Sequence, residues 1–116
     1  MNKTVLSNTL DVCGFYELDT RGTVVYSRIK QDGKFEKSDG SRVGQDFFEE
    51  IFACQNSDAL RRRFFNFITG KATTETFIFG CQIAEKIIPL RVLFVRVSEG
   101  SRERRDTLFY VDIKQD

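Results

Sequence analysis

The sequence predicts an α+β fold, a five-stranded antiparallel sheet with short helices and one longer helix on one face. Three observations carry this. Two β-rich runs flank an Asp-Thr-Arg-Gly turn near the start, and the middle holds apolar residues at helical spacing. The last third returns to three runs of β-branched and aromatic residues separated by glycine and charge.

In order, Phe15 to Asp19 and Thr23 to Ile29 form a hairpin, with Asp19 at the first and Gly22 at the last position of its turn. The stretch from Lys30 to Gly44, KQDGKFEKSDGSRVG, is polar and punctuated by glycine, which suits loops and single helical turns. In DFFEEIF, Phe47, Phe48, Ile51 and Phe52 fall on one side of a short amphipathic helix. Asn56 or Ser57 then caps a longer helix whose apolar stripe is Leu60, Phe64, Phe67 and Ile68, with Gly70 as its stop. Arg61, Arg62 and Arg63 fan around the flanks and outer face of that helix. The strands TETFIFG, IIPLRVLFVRV and TLFYVDIK close the chain. The middle one, Ile87 to Val97, is interrupted by Arg91 and Arg96, and Pro89 stands near its start, where a missing N–H is tolerated.

A chain of 116 residues, 41% hydrophobic and 30% charged, describes one globular domain over residues 1–116, with residues 1–12 as a segment before the first strand. Twelve phenylalanines and no tryptophan make much of its core aromatic. Lysine and arginine number 18 against 17 acids, a net charge of +1, so no whole-chain field favours nucleic acid or a membrane surface. The densest basic stretches, Arg61 to Arg63 and Arg102, Arg104 and Arg105, read as a solvated helix face and a hairpin tip. No uncharged run approaches the roughly 18 residues that span a bilayer. The three cysteines, Cys13, Cys54 and Cys81, are odd in number and form no C-x-x-C, which fits a reducing, cytoplasmic setting.

Histidine is absent, which removes the usual general base, the Ser-His and Cys-His dyads, and imidazole ligation of zinc or haem iron. Glu49 and Glu50, the adjacent acids near Cys54, are neighbours that do not face each other on a helix. The expectation is a non-enzymatic domain.

A hairpin, short helices, one longer helix and three meandering strands make an order that is similar to that of PAS domains. Within it, GFYELDTRG, VGQDFFEEIFACQNS and the helix ending FITGK resemble stretches of the photoactive yellow proteins. The likeness runs without a gap from about Cys13 to Ser57 and more loosely beyond. It implies a bacterial sensory input domain. In that family the matching cysteine carries a 4-hydroxycinnamoyl thioester and the domain is a blue-light receptor, so the resemblance maps a chromophore attachment point onto Cys54. The family holds the chromophore phenolate with a tyrosine and, four residues later, a glutamic acid. The ungapped register puts Ser27 and Gln31 there, whereas Tyr26 and Lys30 lie one residue earlier. A loop threonine and arginine of the family fall on Phe35 and Lys37. Ser27 and Gln31 can donate hydrogen bonds to a phenolate, but they cannot run the proton transfer on which the family's photocycle depends.

Two readings of Cys54 therefore stand: an attachment site, or a small buried hydrophobe, which is what free cysteines usually are. Cys13 and Cys81 read as the second kind. Phe35 is the candidate cavity-lining ring, and the phenylalanines on the helical stripes and strands read as core filling. The resemblance also implies partners: a signalling output domain such as a kinase, a cyclase or a transcription regulator, in the same or another chain, or a second copy in a homodimer. Contacts would run through Met1 to Leu10, with its apolar Val5, Leu6 and Leu10, and through the sheet around Arg91 to Arg96. The alternative is a cofactor-free PAS module for dimerisation or docking.

Overall fold

The structure is a computed structural model that describes residues 13–31, 34–35, 42–52, 54–97 and 108–116. The apolar segment around Val5, Leu6 and Leu10 and the basic cluster Arg102, Arg104 and Arg105 lie outside the described residues.

Period-two alternation builds the sheet. Strand β1 (Gly14–Leu18) alternates buried and half-buried residues, and it pairs antiparallel with β2 (Val24–Gln31) on one side and β6 (Leu108–Gln115) on the other. Strands β4 (Thr74–Ile83) and β5 (Lys86–Val97) form a long hairpin that joins the sheet through β5 and β6. The five expected strands are present, and a two-residue strand β3 (Lys34–Phe35) adds itself to β2 in the polar stretch. Among the described residues the order across the sheet is β3-β2-β1-β6-β5-β4.

The β1–β2 turn forms as its residues predict. The Asp19 carboxylate accepts from the backbone N–H groups of Arg21 and Thr23 at 2.9 and 3.0 Å. Gly22 sits at φ +86°, and a Cβ there would come within 3.0 Å of Phe48 Cε2, so glycine serves both the turn and the packing beneath it.

Two boundaries differ from expectation. Strand β4 does not stop at Gly80 but runs on to Ile83, and the turn falls on Ala84 and Glu85. Gly80 is kept inside the strand by close approach, because a Cβ there would lie 2.7 Å from Ile87 Cγ2. The short helix at Phe47–Ile51 is a π-helical turn in which the Phe52 N–H reaches back to the Phe47 carbonyl at 2.8 Å. Its start is held by the Asp46 carboxylate, which accepts from the N–H groups of Phe48 and Glu49.

Helix α1 (Ser57–Thr69) lies over the inner face of the sheet and buries Leu60, Phe64 and Phe67. Phe64 is the centre of the core: its ring meets Phe48 at 5.4 Å, Phe94 at 5.5 Å and Phe109 at 5.5 Å. Gly70 is the C-cap, but its φ of −93° is not the left-handed cap that glycine usually supplies. Arg96 of β5 takes over that work. Its guanidinium donates to the carbonyls of Phe67, Ile68, Gly70 and Ala72 at 2.9 to 3.3 Å and lies over the Phe67 ring. Arg61 and Arg63 are likewise tied down, to Asp46 and Glu49 and to Glu75, and they join α1 to the π-helical turn and to β4.

Candidate functional site around Cys54

Cys54 stands between the π-helical turn and α1. The chain there turns onto the free edge of β4, and Cys54 is joined to Cys81 by a disulfide across 27 residues of sequence, with Cα atoms 5.3 Å apart. Both residues are buried, with relative exposures of 6% for Cys54 and 1% for Cys81. This corrects the reading of Cys54 and Cys81 as separate buried thiols. Cys13 is buried and stands outside this bond, whereas α1 brings Cys54 down onto the inner face of β4, where the pleat already points Cys81.

Hydrogen bonds reinforce the same seam. The Gln55 N–H donates to the Gln82 carbonyl at 2.8 Å. The Asn56 side chain donates from Nδ2 to the Gly80 carbonyl at 2.8 Å, and its Oδ1 accepts from the Gln82 N–H at 3.0 Å. Asn56 is the N-cap residue by position, yet it makes no side-chain cap bond to its own helix. It spends its amide on the unpaired groups of an edge strand instead.

The remaining candidate residues scatter. Ser27 is buried at 3% exposure and pairs with Tyr16 on the helix-covered face. Tyr26, its neighbour on the strand, points to the opposite face, is 36% exposed, and packs its ring edge-on against Phe15. The pleat thus places Ser27 on the side of Cys54 and Tyr26 across the sheet from it. Gln31 and Phe35 are positioned by backbone pairing, Gln31 against Lys34 and Phe35 against Lys30. Their side chains lie outside the described residues.

Between Ser27 and the cysteine pair the inner face is occupied by rings. Tyr16 meets Phe47 at 4.7 Å, Phe47 stacks on Phe52 at 5.6 Å, and Phe52 meets Phe79 at 5.8 Å. Phe52 and Phe79 each lie two residues before a cysteine of the pair. In this disulfide-bonded state the Cys54 sulfur is engaged and Tyr26 faces away, so neither is placed to hold a thioester-bound 4-hydroxycinnamoyl group. Surface hollows lie between some of the described residues. One, of about 300 Å³, is lined by Ala59, Arg62, Arg63, Asn66 and Glu75, and another, of about 110 Å³, by Thr76, Arg91, Leu93, Asp112 and Lys114. None of the candidate residues borders either.

The outer face of the sheet carries no helix among the described residues. Phe15 lies 4.9 Å from Tyr110 and 6.4 Å from Tyr26, and the register sets Val95 opposite Tyr110 and Leu93 opposite Asp112. Ile78, 48% exposed, extends this face onto β4 beside Arg91. Sequence reasoning missed Cys81 as a partner of Cys54, Asn56 as an edge clip and Arg96 as a helix cap. Only the presence of a second cysteine on an inward strand position hinted at the first. Among the described residues no helix is long and apolar enough to cross a membrane.

No family model and no curated protein matches the sequence. Among solved structures, the PAS domain of BvgS from Bordetella pertussis is similar, with a TM-score of 0.58 and 8% identity over 100% of this chain and 88% of that one. At that identity the likeness speaks for architecture, and together with the strand order and the helix-covered inner face it shows that this chain has the PAS fold.

Proposed function

We propose that the chain is a sensory input module of a signalling protein, in which a chemical event at the Cys54 sulfur is passed through the sheet to an output domain on its uncovered face. The observation that carries this reading is the seam. A bond at Cys54 ties the start of α1 to edge strand β4, and the sheet that includes β4 presents Phe15, Tyr26, Tyr110, Leu93 and Val95 on its other side. A change at that sulfur therefore acts on the packing of the helix against the sheet. The output domain would be a kinase, a cyclase or a transcription regulator, in the same or another chain. The module is a binding and relay element, not a catalyst, and it works in the cytoplasm.

The photoactive-yellow-protein-like form of this reading rests on GFYELDTRG, VGQDFFEEIFACQNS and the helix ending FITGK. It is tested by reducing the protein, offering it activated 4-hydroxycinnamic acid, and recording absorption and intact mass beside a Cys54→Ala control. A blue or near-ultraviolet band, with an acyl mass increment lost in the control, supports a covalent receptor. A colourless, unmodified protein refutes that form.

A second reading is favoured by the ring corridor from Tyr16 to Phe79: a cofactor-free PAS module for dimerisation or docking. Aromatic residues there fill the space that a planar ligand would need. Phe15→Asp with Tyr110→Asp would then lower the solution mass from dimer to monomer, measured by light scattering, with the fold retained by circular dichroism.

A further inference from the structure

Cys54 and Cys81 are the second and third cysteines of the chain, and the disulfide between them closes a seam on an edge strand. We infer that they form a reversible thiol–disulfide pair, with Cys81 as the resolving cysteine, and that their redox state decides whether the Cys54 sulfur is open to modification. The inference rests on the reading of Cys54 as the receiving residue and adds its regulation.

The geometry sets the direction of exchange. Cys54 lies in the middle of the five-residue connection between the π-helical turn, which ends at Ile51, and α1, which begins at Ser57, and is 6% exposed, whereas Cys81 is 1% exposed within a paired strand. Opening of the connection exposes Cys54 first. A thiolate of a glutathione-type small-molecule thiol attacks Sγ of Cys54, the bond to Cys81 breaks, and Cys81 leaves as a thiolate and takes up a proton. A second thiol attacks the mixed disulfide, freeing Cys54 and yielding the oxidised small molecule. Two electrons pass in all, from two thiols to one disulfide. Run backwards, with the small-molecule disulfide as oxidant, the sequence restores the lock, because Cys81 is held within bonding distance to resolve any mixed disulfide on Cys54.

The backbone makes this more than a covalent staple. In the reduced state the seam relies on the Asn56 clip and the Gln55-to-Gln82 bond, which are hydrogen bonds at a strand edge and open more readily than paired strands in mid-sheet. Reduction thereby frees the sulfur and loosens the contact of α1 with β4 in one step.

The test is a redox titration of the intact chain in mixtures of reduced and oxidised glutathione, quenched with N-ethylmaleimide and read by intact mass and peptide mapping. The expected result is one two-electron transition in which Cys54 and Cys81 change together and Cys13 does not. Across it, native-state alkylation of Cys54 by iodoacetamide rises by about tenfold or more as its thiolate becomes available, and exchange of the Gln82 amide quickens. In Cys81→Ser the intramolecular transition is lost, and oxidised mixtures instead leave Cys54 as an unresolved mixed disulfide with glutathione, read by intact mass. The inference is overturned if three thiols titrate in the fully oxidised mixture, or if the pair stays oxidised throughout. It is equally overturned if Cys54 reactivity does not follow the transition. Because iodoacetamide replaces any acyl donor, these outcomes do not depend on whether a chromophore ever attaches, so failure of the receptor reading and failure of the redox lock are told apart.

Discussion

Loss of the Cys54–Cys81 bond should cost the folded state a definite amount, because the cross-link restricts the unfolded chain. The cysteines are 27 residues apart. The chain-entropy relation for a loop of that length yields about 3.5 kcal/mol at room temperature. A domain of 116 residues unfolds with an entropy of about 0.24 kcal/mol/K, so that figure corresponds to a fall in Tm of about 14 °C. The perturbation is Cys81→Ser, with the wild-type protein in excess tris(2-carboxyethyl)phosphine as a matched second case. The assay is thermal unfolding by circular dichroism in both. The two perturbations should agree, since each leaves the native seam held by the Asn56 hydrogen bonds and differs only in the serine hydroxyl. If both unfold within a degree or two of the untreated protein, the unfolded ensemble is not limited by this loop and the entropic reasoning fails.

Arg96→Ala removes the donor that serves the last carbonyls of α1 and should destabilise the domain by about 2 kcal/mol, read in urea unfolding, with Arg96→Lys recovering only part because an ammonium cannot span four carbonyls. Asn56→Ala should cost about 1 to 2 kcal/mol and speed amide exchange at Gln82, since it strips both partners from the edge of β4; unchanged exchange would show the clip to be idle. Gly22→Ala forces an L-residue to φ +86° against the Phe48 ring, and should cost at least about 1 to 2 kcal/mol in the same unfolding assay.

The elements were legible where local chemistry decides them. Asp19 and Gly22 mark their turn, the stripe of Leu60, Phe64 and Phe67 marks the buried side of α1, and period-two alternation marks β1 and β5. Strand β4 was cut short at Gly80 because glycine reads as a break, whereas here it answers to Ile87 on the paired strand. The candidate site was much less legible. Cys54 was singled out from its neighbours in sequence, but Cys81 was read only as a buried residue, since nothing in a spacing of 27 residues distinguishes a disulfide from two separate thiols.

By itself the sequence determined the α+β order, the aromatic core and the absence of histidine chemistry, because composition, turn residues and hydrophobic period act over a few residues at a time. Which residues share the site was decided only by the tertiary structure. Packing of α1 across the inner face carries Cys54 to Cys81, gives Asn56 an edge strand to clip instead of its own helix, and brings Arg96 under the end of that helix. The strand pleat sends Ser27 inward and Tyr26 outward although they are adjacent in sequence. These are contacts between residues 24 to 29 positions apart, or between faces of one sheet, and the physical terms that set them exist only once the helix and the sheet have met.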